Sequence, residues 1–384
     1  MDFKLTEEQL NFQSSVKHLS ERHLKENNLK RAHDPSFPKD VALLFAKNGL
    51  MGITIPEIDG GQGGKLMDAV IAIEQVALVC PRSADVIQSG SFGPLRTFAE
   101  YASPFQKEKY LTKLLNGEII IGLGMTEPNA GSAVTDLTTK ATPNDDGYRV
   151  SGSKVFTTNS PDADIFLVYV QFGEGVNGIG SVLMDRSMEG FSLGKPSKYT
   201  NGEEWCALYF ENVFIPKENV LLGPGGFKKQ IAGFNAERIG NTARSLAVGE
   251  FAYNIAREHA LIREQFGRPI CEFQGIQWKF ADMKIQIEAG RLLLYRAAIN
   301  ADNGFPSSKE TSIAKAFCNK AGFDICNESM QIMGGIGYSQ ESLVEYCFRK
   351  SRGWQIAGGS TEILKNRIAE DVFERKFSQR PAKF

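Results

Sequence analysis

The chain has 384 residues, enough for two or three domains, and its 42% hydrophobic and 23% charged residues are the balance of a globular protein. Forty-four Lys and Arg meet 45 Asp and Glu, and this formal net charge of -1 excludes a bulk basic field for nucleic acid or an anionic membrane. Six cysteines with no CxxC spacing, beside only four histidines, predict reduced thiols, a cytoplasmic location and no metal site.

Residues 1–120 are expected to be helical. Leu5, Leu10, Phe12, Val16 and Leu19 recur near helical spacing, and Thr6-Glu7-Glu8 offers an N-cap followed by acidic first-turn residues. This charged, amphipathic start lacks the apolar run of a secretory signal. Residues 56–64 read as a loop, because their glycines and proline suit turns, and residues 67–78 as an apolar helix. Near residue 121 the texture changes. β-branched and aromatic runs at 148–158, 165–172, 181–184 and 207–215 alternate with turn signals, and Asn144-Asp145-Asp146-Gly147 predicts a hairpin turn. From about 227 the helical texture returns, over 234–262, 273–301 and 309–333, until Gly334-Gly335-Ile336-Gly337 breaks it. No apolar run approaches the roughly 20 residues of a membrane span.

The segment 124–136 reads GMTEPNAGSAVTD. Taken by itself it is a polar turn leaving a strand, where Gly131 lets backbone approach a ligand and Thr126 and Ser132 supply hydroxyls. Its company extends that reading. MTEPNAGS (125–132), KVFTTN (154–159), REQFGRP with EFQ (263–274), and QIMGGIGY (331–338) followed by AGGSTEI (357–363) stand in one order along a helical, β, helical chain. Over essentially its whole length the chain resembles the acyl-CoA dehydrogenase family. The resemblance implies an α+β multidomain fold: an N-terminal helical domain (1–120), a middle β-barrel-like domain (121–226) and a C-terminal four-helix bundle (227–384).

The resemblance also implies FAD as cofactor and an acyl-CoA as substrate, or an acyl thioester on a carrier protein. Met125 and Thr126 would contact the flavin, with Gly131 in the same turn. Phe156 would pack on its ring system and Thr158 would hydrogen-bond near its reactive nitrogen. Arg263, Gln265 and Phe266 would reach the FAD of a neighbouring subunit, the guanidinium suiting its pyrophosphate. Gln331 and Gly335 would approach the adenosine half. Ser360 and Glu362 would line the pyrophosphate and ribityl end. Ser132 would lie near the CoA chain, with Arg238 also on the substrate side. Sharing a cofactor between subunits implies a homo-oligomer, a tetramer in this family, with electron-transfer flavoprotein as electron acceptor.

One departure decides the chemistry. The family's usual base is a Glu before a Gly-Thr pair, and here that position is Gly358, whose N–H can still bond the thioester oxygen. Some members carry the base on the helix opening the C-terminal domain, just before an Arg. Asn235-Ala236-Glu237-Arg238 stands at that place, so Glu237 is the leading candidate; the competing reading is a Glu satisfied by salt bridges. Asp85, in CPRSADVIQSG, is a second candidate, for the more remote proton of a cyclic acyl group, and otherwise a helix-terminal or solvated Asp. EPNAGSA, the REQFGRP region and IAGGS resemble the branch that lacks the usual Glu and includes 3-sulfinopropionyl-CoA desulfinase, which performs no net redox reaction. Three catalytic readings therefore stand: α,β-dehydrogenation through Glu237, dehydrogenation of a cyclic acyl group through Asp85, and a non-redox lyase. A catalytically dead FAD-binding protein is the fourth.

Overall fold

Thr6 caps the first helix: its hydroxyl accepts from the Gln9 N–H at 3.2 Å, and the Gln9 side chain accepts from the Thr6 N–H at 3.1 Å. The computed structural model describes residues 4–301 and 305–380. The N-terminal helices of eight or more residues are α1 (Glu7–His23), α2 (Lys39–Lys47), α3 (Leu66–Ala77), α4 (Ala84–Ser91) and α5 (Gly93–Tyr101). Eleven of the twelve α3 residues are buried, Glu74 and Gln75 among them, so its apolar residues are not confined to one face. Leu10, at a predicted apolar position of α1, is exposed, while Val16 packs into the core.

Nine strands follow: β1 (Ile121–Gly124), β2 (Lys140–Asn144), β3 (Gly147–Thr158), β4 (Ile165–Gln171), β5 (Ile179–Asp185), β6 (Phe191–Leu193), β7 (Ser197–Lys198), β8 (Glu204–Pro216) and β9 (Val220–Leu222). They form one sheet in the order β6-β8-β3-β2-β4-β5-β9, with β1 parallel to β4 and β7 on β8. The predicted hairpin is present: Asn144 pairs with Gly147 across Asp145 and Asp146. Strand β4 is buried over six of its seven residues, so its run is continuously apolar rather than alternating.

The C-terminal part holds α6 (Phe227–Ile262), α7 (Gln274–Ile299), α8 (Ser308–Met333), α9 (Leu343–Trp354) and α10 (Thr361–Val372). Helix α6 starts at Phe227 rather than 234, because its polar opening, Lys228-Lys229-Gln230, hides the apolar period. Helix α8 packs against α6, α7, α9 and α10. The α6–α8 approach depends on Gly322, where an added Cβ would lie 2.3 Å from the Ser245 carbonyl oxygen. Met333 ends α8, and Gly334 caps it at φ +62°. Tyr295 of α7 donates to Glu74 of α3 at 2.7 Å, and Arg291 reaches both Glu74 and Glu250, so a buried polar cluster joins the two helical parts. Among the described residues no helix is long and apolar enough to cross a membrane, and the six cysteines are unbridged.

Candidate active site

The sheet edge is built around one buried ion pair. Lys154 of β3 donates to Glu127 at 2.8 Å and to the Met125 carbonyl at 3.3 Å. The other Glu127 contacts are the Thr138 and Thr139 N–H groups, at 2.6 and 2.9 Å, and the Thr138 hydroxyl at 2.7 Å. Burial opposes ionisation of Glu127, but Lys154 and these donors outweigh it and hold the carboxyl at about 2. Burial pulls Lys154 down to about 8, still above neutrality, so the pair stays ionised at pH 7. It ties the 125–127 segment to β3, and the Val155 N–H adds a bond to the Thr126 carbonyl at 2.8 Å.

Phe156 sits on a bulge. Lys154 pairs with Leu208 and Thr157 with Cys206, so β3 carries one residue more than β8 there. Phe156 takes up that residue in the left-handed region, at φ +57°, an uncommon conformation for an aromatic side chain. Its ring projects from the sheet, 56% exposed, against Trp205 with ring centres 4.6 Å apart. Tyr199 fixes the turn by donating to the Phe156 carbonyl at 2.8 Å, and its hydroxyl lies 3.3 Å from that of Thr158.

Helix α6 supplies the opposing face. Glu237, Asn241 and Arg244 follow at i, i+4 and i+7, on one face. Arg238 turns the other way: its Nε donates to the Gly358 carbonyl at 2.9 Å, a terminal nitrogen donates to Asn235 at 2.8 Å, and the guanidinium lies over Phe234. Among the described residues no cation lies within ion-pair distance of Glu237, so the salt-bridged alternative does not hold. Burial raises the Glu237 carboxyl above its ordinary value, against the charges of Arg244, Arg238 and Lys315 and the Asn241 amide.

The segment between α9 and α10 faces this helix. Gly358 and Gly359 stand at φ +74° and +91°. A Cβ at 358 would lie 2.9 Å from the Asn241 amide nitrogen and 3.3 Å from the Lys315 Cε, so those two side chains occupy the room of the family's usual base. Lys315 is fully buried on α8 and donates to the carbonyls of Trp354 and Ala357, each at 2.9 Å, and of Gly359 at 3.1 Å. Burial and Arg238 pull the Lys315 ammonium down to about 7, with Glu237 opposing. Ser360 caps α10, its hydroxyl accepting from the Ile363 N–H at 3.4 Å, and Glu362 is exposed in the first turn of that helix.

Asp85 is not solvated. It lies buried in the first turn of α4 and accepts from Arg82 and Lys350, each at 2.6 Å, and from Arg244. Glu203 shares Arg82 and Lys350. Burial opposes its ionisation, but Lys350, Arg244 and Arg82 outweigh that and hold the Asp85 carboxyl well below the usual range. Arg244 also donates to Asn241, whose amide favours the ionised form of Glu237. Gln88, one turn after Asp85, donates to the Glu237 backbone carbonyl at 3.3 Å.

The predicted site residues therefore divide. Gly358, Arg238 and Glu237 converge on one side, with Asp85 one arginine further on, and Met125, Thr126, Phe156 and Thr158 share the sheet edge. Gly131 and Ser132 lie exposed in the adjoining turn. Arg263, Gln265, Phe266, Gln331 and Gly335 are exposed, and among the described residues no hydrogen bond or ring contact joins them to these segments. Sequence reasoning passed over Lys154, Glu127, Asn241, Arg244 and Lys315. Glu127 and Lys154 stood inside quoted motifs, and Asn241 and Arg244 stood at helical spacing after Glu237. Lys315 gave only a weak signal, a lone charge in the apolar run SIAKAF.

Three family models match: acyl-CoA dehydrogenase, N-terminal domain, over residues 6–118; the middle domain over 122–213; and the C-terminal domain over 224–373. A short-chain-specific acyl-CoA dehydrogenase of Clostridium acetobutylicum is 32% identical over 378 residues, covering 97% of this chain and 100% of the relative. A 3-sulfinopropanoyl-CoA desulfinase of Paraburkholderia xenovorans is 30% identical over 386 residues, covering 98% and 99%. The structure of butyryl-CoA dehydrogenase from Megasphaera elsdenii matches with a TM-score of 0.91 at 33% identity, over 97% of this chain and 100% of that one.

Proposed function

Because this chain belongs to the acyl-CoA dehydrogenase family of FAD-binding oxidoreductases, we propose that it desaturates an acyl thioester between its α and β carbons, with Glu237 taking the α-proton. The observation that carries this is the opposite treatment of two neighbouring carboxylates. Glu237 is raised by burial and has no cation within ion-pair distance among the described residues, so it has reason to accept a proton. Asp85 is held ionised by three cations and has every reason to stay so. Environments that push two carboxyls apart assign the acid–base role to the raised one.

The residues fit the cofactor. Phe156 offers a half-exposed aromatic face, aimed by a strained bulge whose carbonyl is already tied by Tyr199. FAD, when bound, supplies the acceptor for the hydride leaving the β-carbon. Met125, Thr126, Phe156, Thr158, Ser360 and Glu362 hold it from this chain. Arg263, Gln265, Phe266, Gln331 and Gly335 reach the cofactor of a neighbouring subunit in a homotetramer, which suits their exposure. Glu237 removes the α-proton, and the Gly358 N–H takes the growing negative charge on the thioester oxygen. Ser132 and Arg238 act on the substrate side. The acyl group is carried on CoA, or on a carrier protein in its place. Electron-transfer flavoprotein then reoxidises the enzyme in the cytoplasm.

A second reading has its own support. Gly358 and the 30% identity to a desulfinase favour a non-redox lyase in which Glu237 still takes the proton and a β-substituent departs. The cyclic-substrate reading through Asp85 has the geometry of its three cations against it. Anaerobic mixing of the FAD-loaded protein with a panel of acyl-CoAs separates these. Dehydrogenation gives lasting flavin bleaching and a product lighter by two hydrogens. Turnover without lasting bleaching establishes the lyase instead, and no conversion of any thioester defeats both.

A further inference from the structure

Around Gly358 and Gly359 the segment joining α9 to α10 treats its carbonyls and its N–H groups in opposite ways. Four carbonyl oxygens there are held by side chains. Trp354, Ala357 and Gly359 accept from the Lys315 ammonium, Trp354 also accepts from Asn319 at 2.7 Å, and Gly358 accepts from Arg238. The two glycine amides are not: among the described residues neither the Gly358 nor the Gly359 N–H meets an acceptor, whereas the Ile356 and Ala357 N–H groups reach the Gly353 carbonyl. Two successive left-handed glycines flanked by two buried cations therefore leave adjacent N–H groups free, which is an arrangement suited to an oxyanion. As an ammonium Lys315 has three N–H donors and directs all three here. No acid pairs with it within ion-pair distance among the described residues, so its role is directed at this backbone rather than at a counter-ion.

We propose that Lys315 is a positioning residue for thioester activation: by gathering three carbonyls of the 354–359 segment it holds the Gly358 N–H at the reacting oxygen. This rests on the reading of Gly358 given above. In the step served, the α C–H bond breaks, its proton passes to the Glu237 carboxylate, and the electron pair moves onto the thioester oxygen. Lys315 transfers no proton and touches no substrate atom. It fixes where the N–H points, and a misplacement of about 1 Å there costs up to about 100-fold in rate.

The test uses acetoacetyl-CoA, whose acidic α-proton makes enolate formation measurable by absorbance without turnover. It is bound to the FAD-loaded wild type and to Lys315→Met, and each complex is titrated. The expected result is a depressed α-proton pKa on the wild type and a loss of about tenfold or more in the enolate equilibrium on the variant, at similar CoA affinity. A residue that merely supports the fold would lower the yield of loaded protein but leave that equilibrium unchanged in the molecules that load. Equal equilibria in the two proteins overturn the proposal and leave the proposed function standing. A wild type that binds acetoacetyl-CoA without depressing its pKa removes both. Where Lys315→Met does not fold, Lys315→Gln, which keeps amide donors and drops the charge, must show a smaller loss in the same direction, and no loss overturns the proposal.

Discussion

Asp85 is a buried carboxylate and Glu237 a half-buried one, with Arg244 near both but bonded only to Asp85, and their surroundings send them opposite ways. Around Asp85 three cations converge, from the turn before α4, from α6 and from α9, and outweigh the cost of burial. Around Glu237 the nearest charges act at a distance and burial dominates. Burial alone therefore says nothing about what a carboxylate does. The count of cations within bonding reach decides whether it is a structural anion or a group able to take up a proton. Arg244 sits between them, and its commitment to Asp85 and Asn241 leaves Glu237 without an ion pair.

The largest expected effect is on Glu237. Glu237→Gln should cut flavin reduction by an acyl-CoA by about 100- to 10,000-fold, the worth of a general base, in stopped-flow absorbance. Thermal unfolding should hardly move, since an amide in a desolvated site costs no more than a carboxylate. A variant that reduces its flavin at the wild-type rate breaks the comparison.

Asp85→Asn should do the reverse. It leaves Arg82, Arg244 and Lys350 short of a counter-charge, at a cost of about 3–5 kcal/mol of stability measured by denaturant unfolding. Turnover per folded, flavin-loaded site should stay within about threefold. pH sharpens the contrast. Glu237 acts only when ionised, so kcat/KM should climb with pH through an apparent pKa above the ordinary 4.5. Asp85 is depressed instead. Its stabilisation is present in full above the unfolded value of 3.8 and is lost only as pH falls through the lower folded value. The deficit of Asp85→Asn should therefore persist across the whole activity rise and shrink only below pH 3.8.

Smaller effects follow at the contacts between the two carboxylates. Gly358→Ala places a Cβ at φ +74° and 2.9 Å from the Asn241 amide, and should cost about 1–2 kcal/mol by thermal unfolding. Asn241→Leu removes the amide between Arg244 and Glu237. Its kcat/KM on the acidic side should fall about fivefold, the worth of one hydrogen bond, with the acidic limb moved further up.

Much of this was legible in the sequence. The switch from helical to β texture near residue 121 and the Asn144–Gly147 turn follow from local pattern, while Glu237 before Arg238 is singled out only by the family resemblance. Phe156 was legible as a residue but not as a strained one, because a bulge depends on the register with β8, some fifty residues later. The start of α6 was misplaced because its first turn is polar. The cation partners of Asp85 and the role of Lys315 were unreadable for a shared reason. Apart from Arg82, three residues before Asp85, those partners lie far along the chain, at 244 and 350 for Asp85 and at 354–359 for Lys315, and only the packing of α6, α8 and α9 brings them together.

Exchange of the α-hydrogen of a bound acyl-CoA with deuterated water, followed by mass spectrometry, reports the proton step without depending on electron transfer. The account predicts exchange in the wild type and in folded Asp85→Asn, and none above background in Glu237→Gln. Exchange in Glu237→Gln at the wild-type rate, or its loss in folded Asp85→Asn alone, would contradict the assignment of the proton to Glu237.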